Sequence, residues 1–238
     1  VRPFTLVMAY YMNPRMLATH LEHWRTLPPE IQQALHVRII DDGSPCEDAA
    51  EHVCLGVSGL ASFELYAMQQ DVPWCQDACR NIGVKHTDTQ WLLLTDMDHL
   101  VPRGTWERLM GGQLDPSTVY RFGRITAPEM TPYKPHPNSW AMTTRMFDAI
   151  GGYDERLCGL YGTDGHFLTG VKRTAAALTQ LPEVLIRVPR EMIPDASTTT
   201  LERKKPEDKA RIREICAVRN VDPNWRPRRD TFAYERVL

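Results

Sequence analysis

The chain has 238 residues, 42% hydrophobic and 24% charged, with a formal net charge of −2. That is enough sequence for one large domain with its own core, or a domain with an appendage. The charge argues against a uniformly basic nucleic-acid binder, and no apolar stretch approaches the roughly 18–20 residues that cross a bilayer.

Phe4 to Tyr11 reads as a first, buried strand. Asn13-Pro14 opens a helix in which Leu17, Leu21 and Trp24 recur at helical spacing, and Pro28-Pro29 breaks it. Val37 to Ile40 is a second strand, ending at Asp41-Asp42-Gly43-Ser44, and Ala61 to Tyr66 is a third. A helix from about Gln76 to His86 feeds the apolar run Trp91-Leu92-Leu93-Leu94, which stops at Thr95-Asp96-Met97-Asp98. Strand and helix alternate, which predicts a mainly parallel sheet. The N-terminus enters a strand almost at once, so no secretory leader is expected. Cys46, Cys54, Cys75, Cys79, Cys158 and Cys216 form no close CxxC pair and read as reduced thiols, which points to the cytoplasm, of a cell or of an infected host.

The second half is less regular. Thr118 to Ile125 reads as a strand, and Pro128 to Pro137, with four prolines, as a loop over the sheet. Met142 to Ile150 leads into Gly151-Gly152-Tyr153-Asp154-Glu155, another helix begins near Thr163-Asp164, and Val184 to Val188 is a short strand. Pro206 to Arg219 is a charged helix with Ile212 and Ile215 on one side. Residues 203–238 hold eleven Lys/Arg against six Asp/Glu. This is either a solvated surface extension or a contact for a polyanionic acceptor or a nucleotide diphosphate.

Four constellations carry chemistry. Asp96 and Asp98, spaced i, i+2 at a strand end, fall on the sheet edge where α/β proteins bind ligands. Adjacent carboxylates repel unless solvent or a cation separates them, and hard oxygen ligands suit Mg²⁺ or Mn²⁺ bridged to a diphosphate. The alternative is a solvated turn with Asp98 as a cap. Asp41-Asp42-Gly43-Ser44 belongs on the same edge. Its carboxylates can accept from a base N–H or ribose hydroxyls, or form an Asx turn. Arg80, one turn into its helix, can meet phosphate, clamp an aspartate or make a structural salt bridge. The fourth pairs Gly151-Gly152-Tyr153-Asp154-Glu155 with Tyr161-Gly162-Thr163-Asp164-Gly165-His166. Asp164 is either a helix cap or a general base, and His166 either a metal ligand or a surface histidine.

In this order and spacing the four resemble the GT-A glycosyltransferases, family 2-like members especially, over roughly Phe4 to Thr169. The resemblance implies an α/β, Rossmann-like GT-A fold. A mainly parallel central sheet is flanked by helices, with a smaller acceptor-side region and a helical C-terminal extension. Residues 1–190 would be the transferase domain, with a nucleotide-binding half at 1–100 and an acceptor half at 101–190. Residues 191–238 would be a basic extension packed on it. By the same resemblance Ala9, Tyr10, Asp41 or Asp42, Arg80 and Asp96 would hold a nucleotide-diphosphate sugar, a UDP-sugar first. Asp98 would ligate Mn²⁺ or Mg²⁺, with His166 or His99 as histidine partner. Asp164 would be the catalytic base of an inverting transfer, and Trp140 and Asp154 would face the sugar or acceptor. Thr163 stands where many relatives carry glutamate, and the Gln-x-x-Arg-Trp signature of processive synthases is missing. The compact chain also looks similar to phage-encoded enzymes, which adds a hydroxymethylated DNA base to glycan and metabolite as acceptors. A nucleotidyltransferase and a non-catalytic sugar-binding protein are the competing classes. The first is disfavoured by Tyr10-Tyr11-Met12-Asn13-Pro14-Arg15, which lacks the expected glycines.

Overall fold

A computed structural model describes residues 1–53, 57, 59–198, 205–222 and 224–238. Cys54 and the start of the basic stretch, residues 203 and 204, lie outside the described residues. In the first half β1 (Phe4–Tyr10) leads to α1 (Pro14–Arg25) and α2 (Pro29–Gln32), and β2 (Leu35–Asp41) to α3 (Ala49–Val53). Then β3 (Ser62–Met68) leads to α4 (Gln76–Lys85), which feeds β4 (Trp91–Leu94). These strands pair in parallel in the order β3-β2-β1-β4. Their apolar residues alternate between two cores: Phe4, Leu6 and Met8 face one side of the sheet, and Val7 the other.

The second half contributes β5 (His99–Leu100), α5 (Arg103–Gly111), β6 (Thr118–Thr126), β7 (Thr131–Tyr133), β8 (Trp140–Thr143), α6 (Thr144–Ile150), α7 (Asp164–Thr174) and β9 (Ala177–Arg187). After them come α8 (Pro206–Val221) and β10 (Tyr234–Arg236). The sheet of the described residues has ten strands, in the order β10-β3-β2-β1-β4-β8-β6-β9-β5, with β7 on β6. Parallel pairing dominates the first half, whereas β8, β5, β7 and β10 all pair antiparallel. Within Met142 to Ile150, the chain ends β8 at Thr143 and starts α6 at Thr144, where the Thr143 hydroxyl accepts from Met146 N–H at 3.1 Å. The proline-rich loop contains β7, and β9 starts seven residues before the expected Val184. No helix among the described residues is long and apolar enough to cross a membrane. Cys46, Cys75, Cys79, Cys158 and Cys216 are free thiols.

Helix α4 sets the site. Asp77 to Val84 are all buried, so the helix is covered on every side rather than lying amphipathically on the sheet. The cover on its outer side is the C-terminal segment. Asn81 Nδ2 donates to Glu155 Oε1 at 2.9 Å, and Thr231 N–H donates to Glu155 Oε2 at 2.6 Å. Lys85 pairs with Asp230 at 2.7 Å before β10 joins the edge of β3. Gly83 lets α4 press on the sheet, since a Cβ there would come within 2.3 Å of Val7 Cγ1 and 2.7 Å of Ile40 Cδ1. Gly83→Ala is therefore expected to lower the unfolding free energy by about 1–3 kcal/mol, overpacking outweighing the helix-propensity gain. Urea titration reads this directly, and a stabilised variant would show the contact to be loose.

Candidate active site

The C-terminal ends of β1, β2 and β4 lie side by side and open onto one cavity. Ala9, Tyr10, Tyr11, Asn13, Asp42, Trp74, Gln76, Asp96, Met97 and Asp98 line it, and Ala196, Ser197 and Thr198 complete the wall. That last segment is held by Arg15 N–H donating to Asp195 Oδ2 at 2.7 Å and by the Thr198 hydroxyl donating to the Tyr11 carbonyl. Tyr10 is fully buried and its hydroxyl donates to the Glu47 carbonyl.

The adjacent aspartates after β2 have separate jobs. Asp41 accepts from Ser44 N–H through Oδ1 and from Ala49 N–H through Oδ2, both at 2.8 Å. Both oxygens are engaged in the turn, so Asp41, expected as one of two nucleoside contacts, does not line this cavity. Asp42 accepts from Cys75 N–H at 2.9 Å through Oδ2, while its buried Oδ1 has no hydrogen-bond partner among the described residues. Burial raises Asp42 well above the ordinary carboxylate range. An orphaned acceptor on a cavity wall suits a ligand N–H or O–H.

Asp96 is held from two sides. Arg80 Nη2 lies 2.5 Å from Oδ1 and His136 Nε2 lies 3.1 Å from Oδ2. Burial would raise this carboxyl, but His136 and Arg80 outweigh it and hold it far below the usual range. Arg80 is itself 2% exposed, donates to Gln76 Oε1 at 2.8 Å and lies over the Tyr153 ring. Asp98 contacts His99, whose Nδ1 is 2.6 Å from Oδ1, while Arg187 Nε stands 4.0 Å from Oδ2. Burial opposes the Asp98 charge and His99 more than offsets it, so its pKa is lowered. The His99 ring packs against His136, 4.4 Å between centroids.

No group of three or more His, Cys, Asp or Glu side chains among the described residues forms a cation cage. The donor set nonetheless fits a divalent ion of the kind that takes one or two carboxylates and fills its shell with substrate phosphates and water. Asp98, an ionised carboxylate on the cavity wall, is the side chain that would hold it. His166 is not brought to that wall. It is buried on a different cavity, 3.9 Å from Asp154 and against the Trp225 ring, which corrects its expected role beside Asp98. Trp140 and Asp154 are also corrected. Trp140 is 1% exposed in the core, paired opposite Leu94 and tilted against Phe167. Asp154 has a fully buried side chain clamped by Arg156 at 2.9 and 2.7 Å. It latches the C-terminal stretch by accepting from Arg228 N–H at 3.3 Å.

Asp164 opens α7 and accepts from Asn138 Nδ2 at 2.6 Å. Asn138 adjoins Ser139, whose hydroxyl meets Thr95 at 2.8 Å and His136 Nδ1 at 2.9 Å. Residues 136–139 thus tie Asp164 to the neighbourhood of Asp96. Sequence reasoning missed His136, Asn138 and Asp77. The first two sit in a segment read as a plain proline-rich loop, where a His and an Asn wedged between Pro135 and Trp140 were the available signal. Asp77 lies one turn before Arg80, with Oδ1 3.5 Å from Arg80 Nη1. Burial lifts its pKa to about 7, with Arg80 opposing and Asp164 and Asp154 adding.

No protein-family model and no curated protein matches the sequence. Solved structures do resemble the fold. S. aureus TarS 1–349 in complex with UDP-GlcNAc aligns with a TM-score of 0.70 at 12% identity, covering 94% of this chain and 68% of that one. A longer S. aureus TarS gives 0.67, and the chain spans 40% of its length. The mannosyltransferase PcManGT from Pyrobaculum calidifontis, in complex with GDP-Man and Mn²⁺, gives 0.62 at 16% identity, covering 93% and 66%. At such identities the likeness shows the fold: this is a GT-A glycosyltransferase fold.

Because Asp77 has a raised pKa in the folded chain, it contributes stability below about pH 4 that is lost as pH rises toward about 7. The slope from this group is at most about 1.4 kcal/mol per pH unit. Asp77→Asn is expected to lose this component, so the variant gains on wild type between pH 5 and pH 8. Denaturant midpoints at both pH values check it, and a constant gap would refute the buried, shifted carboxyl.

Proposed function

We propose that this chain transfers a hexosyl or pentosyl group from a nucleotide-diphosphate sugar, a UDP-sugar first, to an acceptor hydroxyl. The observation that carries the reading is that Asp42, Asp96 and Asp98 line one cavity at the strand ends of a GT-A fold. Neighbours of that fold were solved with UDP-GlcNAc or with GDP-Man and Mn²⁺. Ala9, Tyr10 and Asp42 take the nucleoside. Arg80 and His136 hold Asp96 ionised and oriented toward the donor's ribose or sugar. Asp98, steadied by His99, faces the diphosphate. A divalent cation, when bound there, offsets charge on the departing diphosphate.

Asp164 is the base. Asn138 fixes Oδ1, and the carboxylate takes the acceptor's O–H proton. As that oxygen bonds to the anomeric carbon, the carbon–oxygen bond to the diphosphate breaks and the nucleoside diphosphate leaves. Attack from the face opposite the leaving group inverts the anomeric centre.

A glycan or small-molecule acceptor is favoured over a DNA base. Part of the positive charge of the basic C-terminal stretch is offset by carboxylates of the chain: Arg229 pairs with Asp148 at 3.0 Å, Arg211 with Glu214 at 3.4 Å and Arg236 with Glu64 at 3.6 Å. Asp164→Asn keeps the Asn138 neighbourhood filled while removing the base. Its turnover is expected to fall about 10²–10⁴-fold with donor affinity retained. Product NMR, run with glycan, small-alcohol and hydroxymethylated-DNA acceptors, should show the inverted anomer on the first two. Near-normal turnover in the variant, or a retained anomer, would overturn the base assignment.

A further inference from the structure

A second cavity of about 580 Å³ lies between α6, α7 and the stretch after α8, and shares no lining residue with the first. Four buried atoms of its lining residues have no hydrogen-bond partner among the described residues: Tyr153 Oη, His166 Nε2, Arg219 Nη1 and Trp225 Nε1. Buried polar groups in native proteins are nearly always satisfied, and four orphans around one void call for a missing partner. All four can donate a hydrogen bond, so the partner is rich in acceptors.

Charge points the same way. Arg219 reaches Asn220 Oδ1 at 3.4 Å and Arg173 reaches the same oxygen at 3.3 Å. Two guanidiniums therefore share one neutral acceptor, and neither makes an ion pair with a carboxylate among the described residues. The nearby Asp154 is already clamped by Arg156. The rest of the wall is mixed: Asp77, Asp222 and Arg226 add charge, while Ile150, Leu157, Phe167 and the Trp225 ring supply an apolar and aromatic face.

We propose that this cavity binds a phosphate monoester carried on a compact aromatic body. Two unpaired guanidiniums match a dianion, and a phosphate offers enough oxygens for the orphaned donors. The ester's ring packs on Trp225 and Phe167. The assignment stands independently of the reaction in the first cavity.

Calorimetric titration with phenyl phosphate, and separately with inorganic phosphate, tests it on the full chain. Phenyl phosphate should bind saturably and at least about tenfold tighter than inorganic phosphate, because of the apolar wall. Arg173→Gln, at an exposed rim position, should fold normally and weaken phenyl phosphate about tenfold, and Arg219→Gln at least as much. The indole N–H resonance of Trp225, assigned through Trp225→Phe, should shift on titration, and UDP should not displace the ligand. The proposal is overturned by absent saturable binding, by displacement with UDP, by unchanged affinity in Arg173→Gln, or by an unmoved Trp225 resonance.

Discussion

The site rests on a buried ion pair between Arg80 of α4 and Asp96 after β4. Removing both charges from water costs several kcal/mol each, and only close geometry with further partners offsets it. Here those partners are Gln76 on the guanidinium and His136 on the second carboxylate oxygen. The pair demands that α4 run directly under the end of β4, which is why Gly83 is pressed onto β1 and β2. It also demands that the outer side of α4 be sealed. Glu155 does this by accepting from Asn81 on the helix and from the backbone of residues 230 and 231. The C-terminal segment is thus part of the foundation of the cavity, although it lies far from it in sequence.

The same constraint divides labour within Asp96-Met97-Asp98. Met97 is buried and anchors the turn in the core. Asp96 has one oxygen on the Arg80 guanidinium and the other on the His136 ring, so it behaves as a fixed acceptor of defined direction. Asp98 has one oxygen against His99 and the other only loosely approached by Arg187. Of the two carboxylates it is the one with coordination capacity left over. His99 and His136, packed ring to ring, join the surroundings of the two aspartates.

The fold was legible because the first half obeys simple periodicities. The buried strands are short apolar runs ended by polar turns, and α1 carries proline at its start and apolar residues at helical spacing. The carboxylates after β2 and β4 followed, since strand ends in a parallel sheet share one edge. What stayed hidden depended on contacts remote in sequence. Nothing local distinguishes Asp41 from Asp42; the turn that engages Asp41 and the Cys75 N–H that turns Asp42 to the cavity decide it. Trp140 and Asp154 read as ligand-facing through the family resemblance alone, but one completes an apolar core and the other has a private arginine two residues away. His166 lies two residues from Asp164 and, on α7, points to another cavity. His136 was invisible because its partner Asp96 is brought to it by the β7–β8 connection.

The central claim is that the first cavity holds a nucleotide diphosphate through Asp42 and Asp98 with a divalent ion. Thermal unfolding in the presence of UDP or UDP-sugars, with and without Mn²⁺, measures this most directly. Binding to the native state at about 100 times the dissociation constant adds roughly 2.7 kcal/mol of stability. UDP with Mn²⁺ should raise the midpoint well above either alone, and Asp98→Ala should abolish the metal-dependent part. An unchanged midpoint with every nucleotide diphosphate, or a shift that is indifferent to Mn²⁺ and to Asp98, would contradict it.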